Sequence, residues 1–183
     1  MKYNPDRMKG VQRFFFVFLL LILISSCGEQ KNEKTKKSNA QQEETFVKIN
    51  KYLVDQDVDK IRGFIRRRNW DMTLTGTGLW YMIYKKGTGE AIQNGKVATL
   101  NYTISLLDGT TCYSSDSLGK KTFRIGKGGV ERGLEEGLLL LHAGDKARFI
   151  MPPYLAFGLA GDQDKIPPRS IIIYDVELVQ ISD

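Results

Sequence analysis

A chain of 183 residues has room for one ordinary domain and an appendage, and its 42% apolar content is enough for the domain to bury a core. A formal charge of +6 invites a nucleic-acid reading, but half of it sits in the first 26 residues, where Lys2, Arg7, Lys9 and Arg13 face Asp6 alone. The rest of the chain carries only +3, with no interleaving of basic and aromatic residues, so nucleic acid is excluded as the expected partner.

The basic stretch leads into an apolar run, Phe14 to Ile24, of eleven residues. A membrane-spanning helix needs about 20, so the run reads as the core of an export signal over residues 1–26. Leu23-Ile24-Ser25-Ser26-Cys27 resembles the bacterial lipobox, which implies a lipidated Cys27 and an envelope membrane, most simply the outer membrane on its periplasmic side. Several acyl chains anchor stably, because each buried methylene contributes about 0.8 kcal/mol. Cys112 is the only other cysteine, so a lipidated Cys27 leaves no intramolecular disulfide.

Residues 28–45 contain no aromatic or branched aliphatic side chain and are expected to form a disordered tether with the lipidated cysteine, 27–45. Residues 46–71 form a helical segment: Val54, Val58, Ile61 and Ile65 recur at spacings of three and four, with Asp55 or Asp57 as a cap and Arg66 to Arg68 in the last turn. From Gly78 the pattern becomes that of strands, over Leu79–Lys85, Val97–Leu107, Lys146–Met151 and Ile171–Ile181, with one helix from about Val130 to Leu141. These elements predict an α+β domain over 72–183, with a core at 95–181 and a mostly antiparallel sheet carrying one short helix.

Enzyme motifs based on nucleophiles or metals are missing from the sequence. Gly126 to Gly129 does not continue as a phosphate loop, and the single His142 offers neither a triad nor a ligand cluster. No metal or cofactor is expected.

Other stretches carry a family likeness. They are Asn101-Tyr102-Thr103, Leu107 to Thr110, Ser114-Ser115, Phe123 to Gly126, Val130 to Gly137, Gly144 to Ala147, Pro152 to Gly158, Ile166-Pro167-Pro168 and Tyr174 to Leu178. In order and spacing they resemble FKBP-type peptidyl-prolyl cis-trans isomerases from about Leu79 onward. The resemblance implies a twisted antiparallel sheet wrapped around one short α-helix, here with an extra N-terminal helix. It also implies an apolar pocket for proline-containing segments. The lipoprotein signal, the preceding helix and the Met72 to Gly76 segment further resemble the gliding-motility-associated lipoprotein FKBPs of Bacteroidetes.

The same resemblance assigns catalytic positions to Tyr102, Cys112, Tyr113 and Phe157. It assigns the substrate pocket to Phe123, Val130, Glu131, Leu134, Ile166 and Tyr174, with Glu131 acting through its backbone N–H. Several of these depart from the family pattern: Cys112-Tyr113 replace Phe-Asp, Leu134 replaces tryptophan, and Phe157 replaces a tyrosine. Lys121 stands for an aromatic residue, Asp162 for a histidine and Tyr174 for a phenylalanine. A cysteine at 112 widens the expected pocket unless the Tyr113 ring fills the gap. The implied function is isomerisation of X-Pro bonds in exported or envelope proteins. The alternative is a catalytically weak proline-binding module of an envelope machine.

The anchor is testable directly. Cys27→Ala is expected to abolish incorporation of labelled fatty acid and maturation at the lipoprotein cleavage site; equal label in both proteins rules the anchor out.

Overall fold

The computed structural model describes residues 30–183. The export signal and Cys27 lie outside the described residues. The chain divides between Lys51 and Tyr52 into two units. In the first unit, the described residues form the beginning of helix α1 (Gln30–Arg68), with side chains exposed from Gln42 to Lys51. The helix therefore starts at Gln30, where the sequence predicted a disordered tether. Low apolar content denies a segment a core but not a helix, and Gln, Lys, Glu and Ala are good helix formers. With the start at Gln30, Asp55 and Asp57 are interior residues rather than caps. Among the described residues no helix is long and apolar enough to cross a membrane.

In the second unit, α1 continues to Arg68 and leads into a seven-stranded sheet. The strands are β1 (Thr73–Leu74), β2 (Trp80–Lys85), β3 (Val97–Leu106), β4 (Thr111–Ser114), β5 (Lys121–Arg124), β6 (Lys146–Met151) and β7 (Ile172–Ser182). Their order is β1-β2-β6-β7-β3-β4, with β5 also paired to β3, and every pairing is antiparallel. Two short helices interrupt them, α2 (Ser115–Leu118) and α3 (Arg132–Leu138), and a 3₁₀ turn spans Pro153–Leu155. Long alternating strands were predicted from their pattern, whereas β1, β4, β5 and α2 were not. Each of these has four residues or fewer, too short to show a period.

Alternation along the strands separates two faces. Ala147, Phe149 and Met151 of β6 and Ile172, Tyr174, Val176 and Leu178 of β7 point into the main core, together with Ala98, Leu100, Tyr102 and Ile104 of β3. The intervening Ile150 and Ile173 face the other way, where Ile61, Phe64 and Ile65 of α1 cover them. The predicted apolar stripe of α1 is thus buried at its C-terminal end, while Val54 stays 36% exposed. Asp57 lies buried beneath Arg169, paired at 2.6 Å, and the Arg68 guanidinium stacks 3.5 Å from the Phe64 ring centroid.

Helix α3 lies against the inner face of the sheet at very short range. A Cβ on Gly133 would come within 2.9 Å of Met151 Sδ, and one on Gly137 within 2.7 Å of the Phe149 ring. At Gly137 the neighbour is a buried ring and only glycine fits, whereas at Gly133 the Met151 side chain would have to shift. Helix propensity would favour Gly137→Ala by about 1 kcal/mol. Overpacking against a fixed ring is instead expected to destabilise the variant by about 1–3 kcal/mol, and thermal unfolding decides between the two signs.

Candidate functional site: a cavity between helix and sheet

Beyond the N-terminal end of α3 the sheet and its loops enclose a cavity of about 540 Å³. Tyr102 and Ile104, two residues apart on β3, form its back wall because they leave the strand on the same face. Val130 and Glu131 form a second side just ahead of α3. The chain reaches them through Gly128 and Gly129, both at positive φ (71° and 89°), a turn that side chains rarely allow. Ala156 and Phe157 close the third side from the loop after the 3₁₀ turn.

Five of the ten residues assigned to the site by resemblance line this cavity: Tyr102, Tyr113, Val130, Glu131 and Phe157. Cys112, Leu134, Ile166 and Tyr174 are buried behind the walls in the main core, and Phe123 packs partly buried against it. Cys112 precedes Tyr113 on β4, so the two side chains leave on opposite faces. Its thiol lies 3.5 Å from the Lys165 carbonyl, and burial pushes its pKa up. Leu134, on the first turn of α3, points at the sheet. Reasoning from sequence missed Ile104, Leu118, Gly129 and Ala156 as lining residues. It noted Lys121 and Asp162 only as departures, and both line the cavity.

The Tyr113 ring lines the cavity on the face of β4 opposite to the buried Cys112, so it does not fill the space a larger residue at 112 would take. Its hydroxyl donates to Asp162 Oδ2 and, at 3.2 Å, to Asp164 Oδ2, and Lys165 Nζ sits 5.3 Å from its ring centroid. The hydrogen bond to Asp162, reinforced by burial, pushes the phenol up to about 12, so it is a donor at neutral pH. Asp162 Oδ1 accepts the backbone N–H of Asp164 at 3.0 Å and of Ile166 at 2.8 Å. Burial alone would raise this carboxyl, but the Tyr113 hydroxyl and the two N–H donors outweigh it and hold the carboxyl below its ordinary range.

A second polar cluster occupies the wall between β5 and α3. Tyr174 Oη donates to Glu131 Oε1 at 2.9 Å, and Lys121 Nζ donates to Tyr174 Oη at 3.1 Å. Burial, with the Glu131 charge beside it, pushes the Tyr174 phenol far up, so it remains a donor. The Glu131 side chain therefore has a structural part that its assignment through the backbone N–H did not foresee.

Because the folded pKa of Asp162 lies below its unfolded value of about 3.9, its stabilisation of the 162–166 loop is complete above the ordinary carboxylate range. It is lost as pH falls through the folded value. Tyr113→Phe removes the first donor, and the Asp162 midpoint, followed by its carboxyl ¹³C shift, is expected to rise toward the ordinary range. An unchanged midpoint would show that the backbone donors alone hold it.

Comparison with known proteins agrees with this geometry. The family model for FKBP-type peptidyl-prolyl cis-trans isomerase matches residues 88–179. FKBP-type peptidyl-prolyl cis-trans isomerase FkpA of Escherichia coli (strain K12) is 37% identical over 108 residues, covering 58% of this chain and 39% of that protein's length. The chain therefore spans well under half of that relative. Peptidyl-prolyl cis-trans isomerase Fkbp12 of Drosophila melanogaster is 42% identical over 90 residues, 49% of this chain and 83% of its own. The crystal structure of FkpA from Escherichia coli superposes with a TM-score of 0.62 at 28% identity, over 100% of this chain and 84% of that one. Sequence, sheet order and cavity converge, and the chain belongs to the FKBP-type peptidyl-prolyl cis-trans isomerase family.

Proposed function

We propose that this protein is a peptidyl-prolyl cis-trans isomerase acting on proline-containing segments of exported or envelope proteins. The observation that carries the reading is the cavity walled by Tyr102, Ile104, Val130 and Phe157 in a member of this family. Rotation about an X-Pro bond faces a barrier of roughly 18–20 kcal/mol because the amide loses resonance as it twists. The twisted amide is less charge-separated than the planar one, so an apolar enclosure favours it differentially. Tyr102 and Phe157 provide that enclosure, Val130 seats the proline ring, and the Glu131 N–H pairs with the peptide backbone.

The envelope location rests on the lipobox-like stretch at Cys27, and a link to gliding motility on the resemblance of the N-terminal segments. A second reading, a proline-binding module with little catalysis, draws support from the charged Lys121–Glu131 wall, since a more polar enclosure discriminates less between planar and twisted amide.

Exchange NMR of a proline tetrapeptide with catalytic amounts of protein tests the proposal. Acceleration is expected, and Phe157→Ala is expected to lower kcat/KM about tenfold, or ~1.4 kcal/mol. A folded wild-type protein that binds the peptide without accelerating exchange would leave the binding module as the function.

A further inference from the structure

The cavity has unequal hydrogen-bonding capacity at its two polar ends. At the rim, Asp162 is engaged through both oxygens, by Tyr113 and by the N–H groups of Asp164 and Ile166. In the wall, Glu131 Oε1 holds Tyr174, and Oε2 is buried without a hydrogen bond, in a side chain only 7% exposed. The Lys121 ammonium is different. It has three N–H donors, of which one is given to Tyr174 Oη. Glu131 Oε2, at 3.6 Å, lies beyond hydrogen-bond distance. The ammonium rests 5.5 and 5.6 Å from the ring centroids of Tyr102 and Tyr174, within cation–π range, so its position is fixed. Its side chain keeps 27% exposure and lines the cavity.

An immobilised cation with donors to spare calls for an acceptor from the ligand. We infer that Lys121 is a specificity-determining residue that selects proline segments carrying a carboxylate side chain within one residue of the proline, an inference that rests on reading this cavity as the substrate site. A backbone carbonyl can take the same N–H, but every peptide has one and it carries no charge, so it does not discriminate. Lys121 is the more exposed of the pair (27% against 7%), so a ligand carboxylate meets it before Glu131. Asp162, the other carboxylate lining the cavity, is engaged through both oxygens at the rim, and attraction to the nearest charge exceeds repulsion from the farther ones. Partial exclusion of water makes that difference larger than it would be on an open surface.

The test uses the full chain and amidated peptides differing only at the residue before the proline, Glu, Gln, Leu or Lys, with a matched set varied after it. Glu and Gln have the same shape, so their ratio isolates charge from the carbonyl contact. At one of the two positions kcat/KM is expected to favour Glu over Gln about fivefold to tenfold, with Lys lowest. In Lys121→Met the ratio is expected to fall to about one whatever the absolute rate, while Lys121→Arg retains it. Lys121→Met leaves Glu131 buried without its cation and can fail to fold; Lys121→Met with Glu131→Gln removes both charges and is expected to give the same ratio of about one. Equal rates for Glu and Gln at both positions, or a preference that survives loss of Lys121, overturns the inference. If the wild type accelerates none of the peptides, the isomerase reading fails by itself. The ratio of Kd values for the same peptides, from amide shifts, then decides on Lys121 alone.

Discussion

Helix α3 approaches the sheet so closely that Gly133 and Gly137 have no space for a Cβ against Met151 and Phe149. Much of the site geometry depends on that contact. A helix of seven residues cannot hold itself in water, so its position is set by what it touches, and it touches a rigid ring and a strand end. Val130 and Glu131 immediately precede the helix and are therefore placed by the same contact. Tyr174, on β7 and packed in the same core, then reaches Glu131 with its hydroxyl. A bulkier residue in the helix would lift the whole wall of the cavity.

The cavity is apolar along its back and sides and polar at two separate places. At the rim, Tyr113 stands at the family's aspartate position and Asp162 at its histidine position, and a hydrogen bond joins the two. In the wall, Lys121, Glu131 and Tyr174 form a set in which each member needs the others. Burying a carboxylate is costly unless a cation and donors accompany it. A charged pair of this kind is weak evidence for added stability, since apolar residues of similar volume serve as well. Its more definite effect is to set the polarity that a ligand meets.

The fold was legible because the long strands alternate. Val97–Leu106 and Lys146–Met151 are found with the predicted boundaries to within a residue, and β7 is shifted by one. Helix α3 is shorter than its apolar pattern, since Leu139 to Leu141 leave the helix in turns. The N-terminal helix was half legible: its buried end shows a period, whereas the solvated beginning has none to show. Of the site, Tyr102, Tyr113, Val130, Glu131 and Phe157 were readable through the family's motifs. Lys121 was not, because a lysine that opens a short polar strand looks like any solvated cation. Its partner Glu131 is on a different element, and Tyr174 lies 53 residues further along the chain. The available signal was a pair of departures toward polar residues, Lys121 and Tyr174, at positions that share one wall.

Strand β7 lies between β6 and β3 and is bonded to both along most of its length, from Ile172 to Ser182 against β3 and from Ile172 to Glu177 against β6. It is also the last strand in sequence. The two halves of the sheet consequently have nothing to join them until residues beyond 172 are present. Contacts of such long sequence separation give a high contact order, and chains of this kind fold late and slowly, in milliseconds to seconds rather than microseconds. Until then β3 and β6 present bare edges able to pair with other chains. The protein is thus exposed, during its own synthesis, to the hazard of premature association that folding assistants relieve in others.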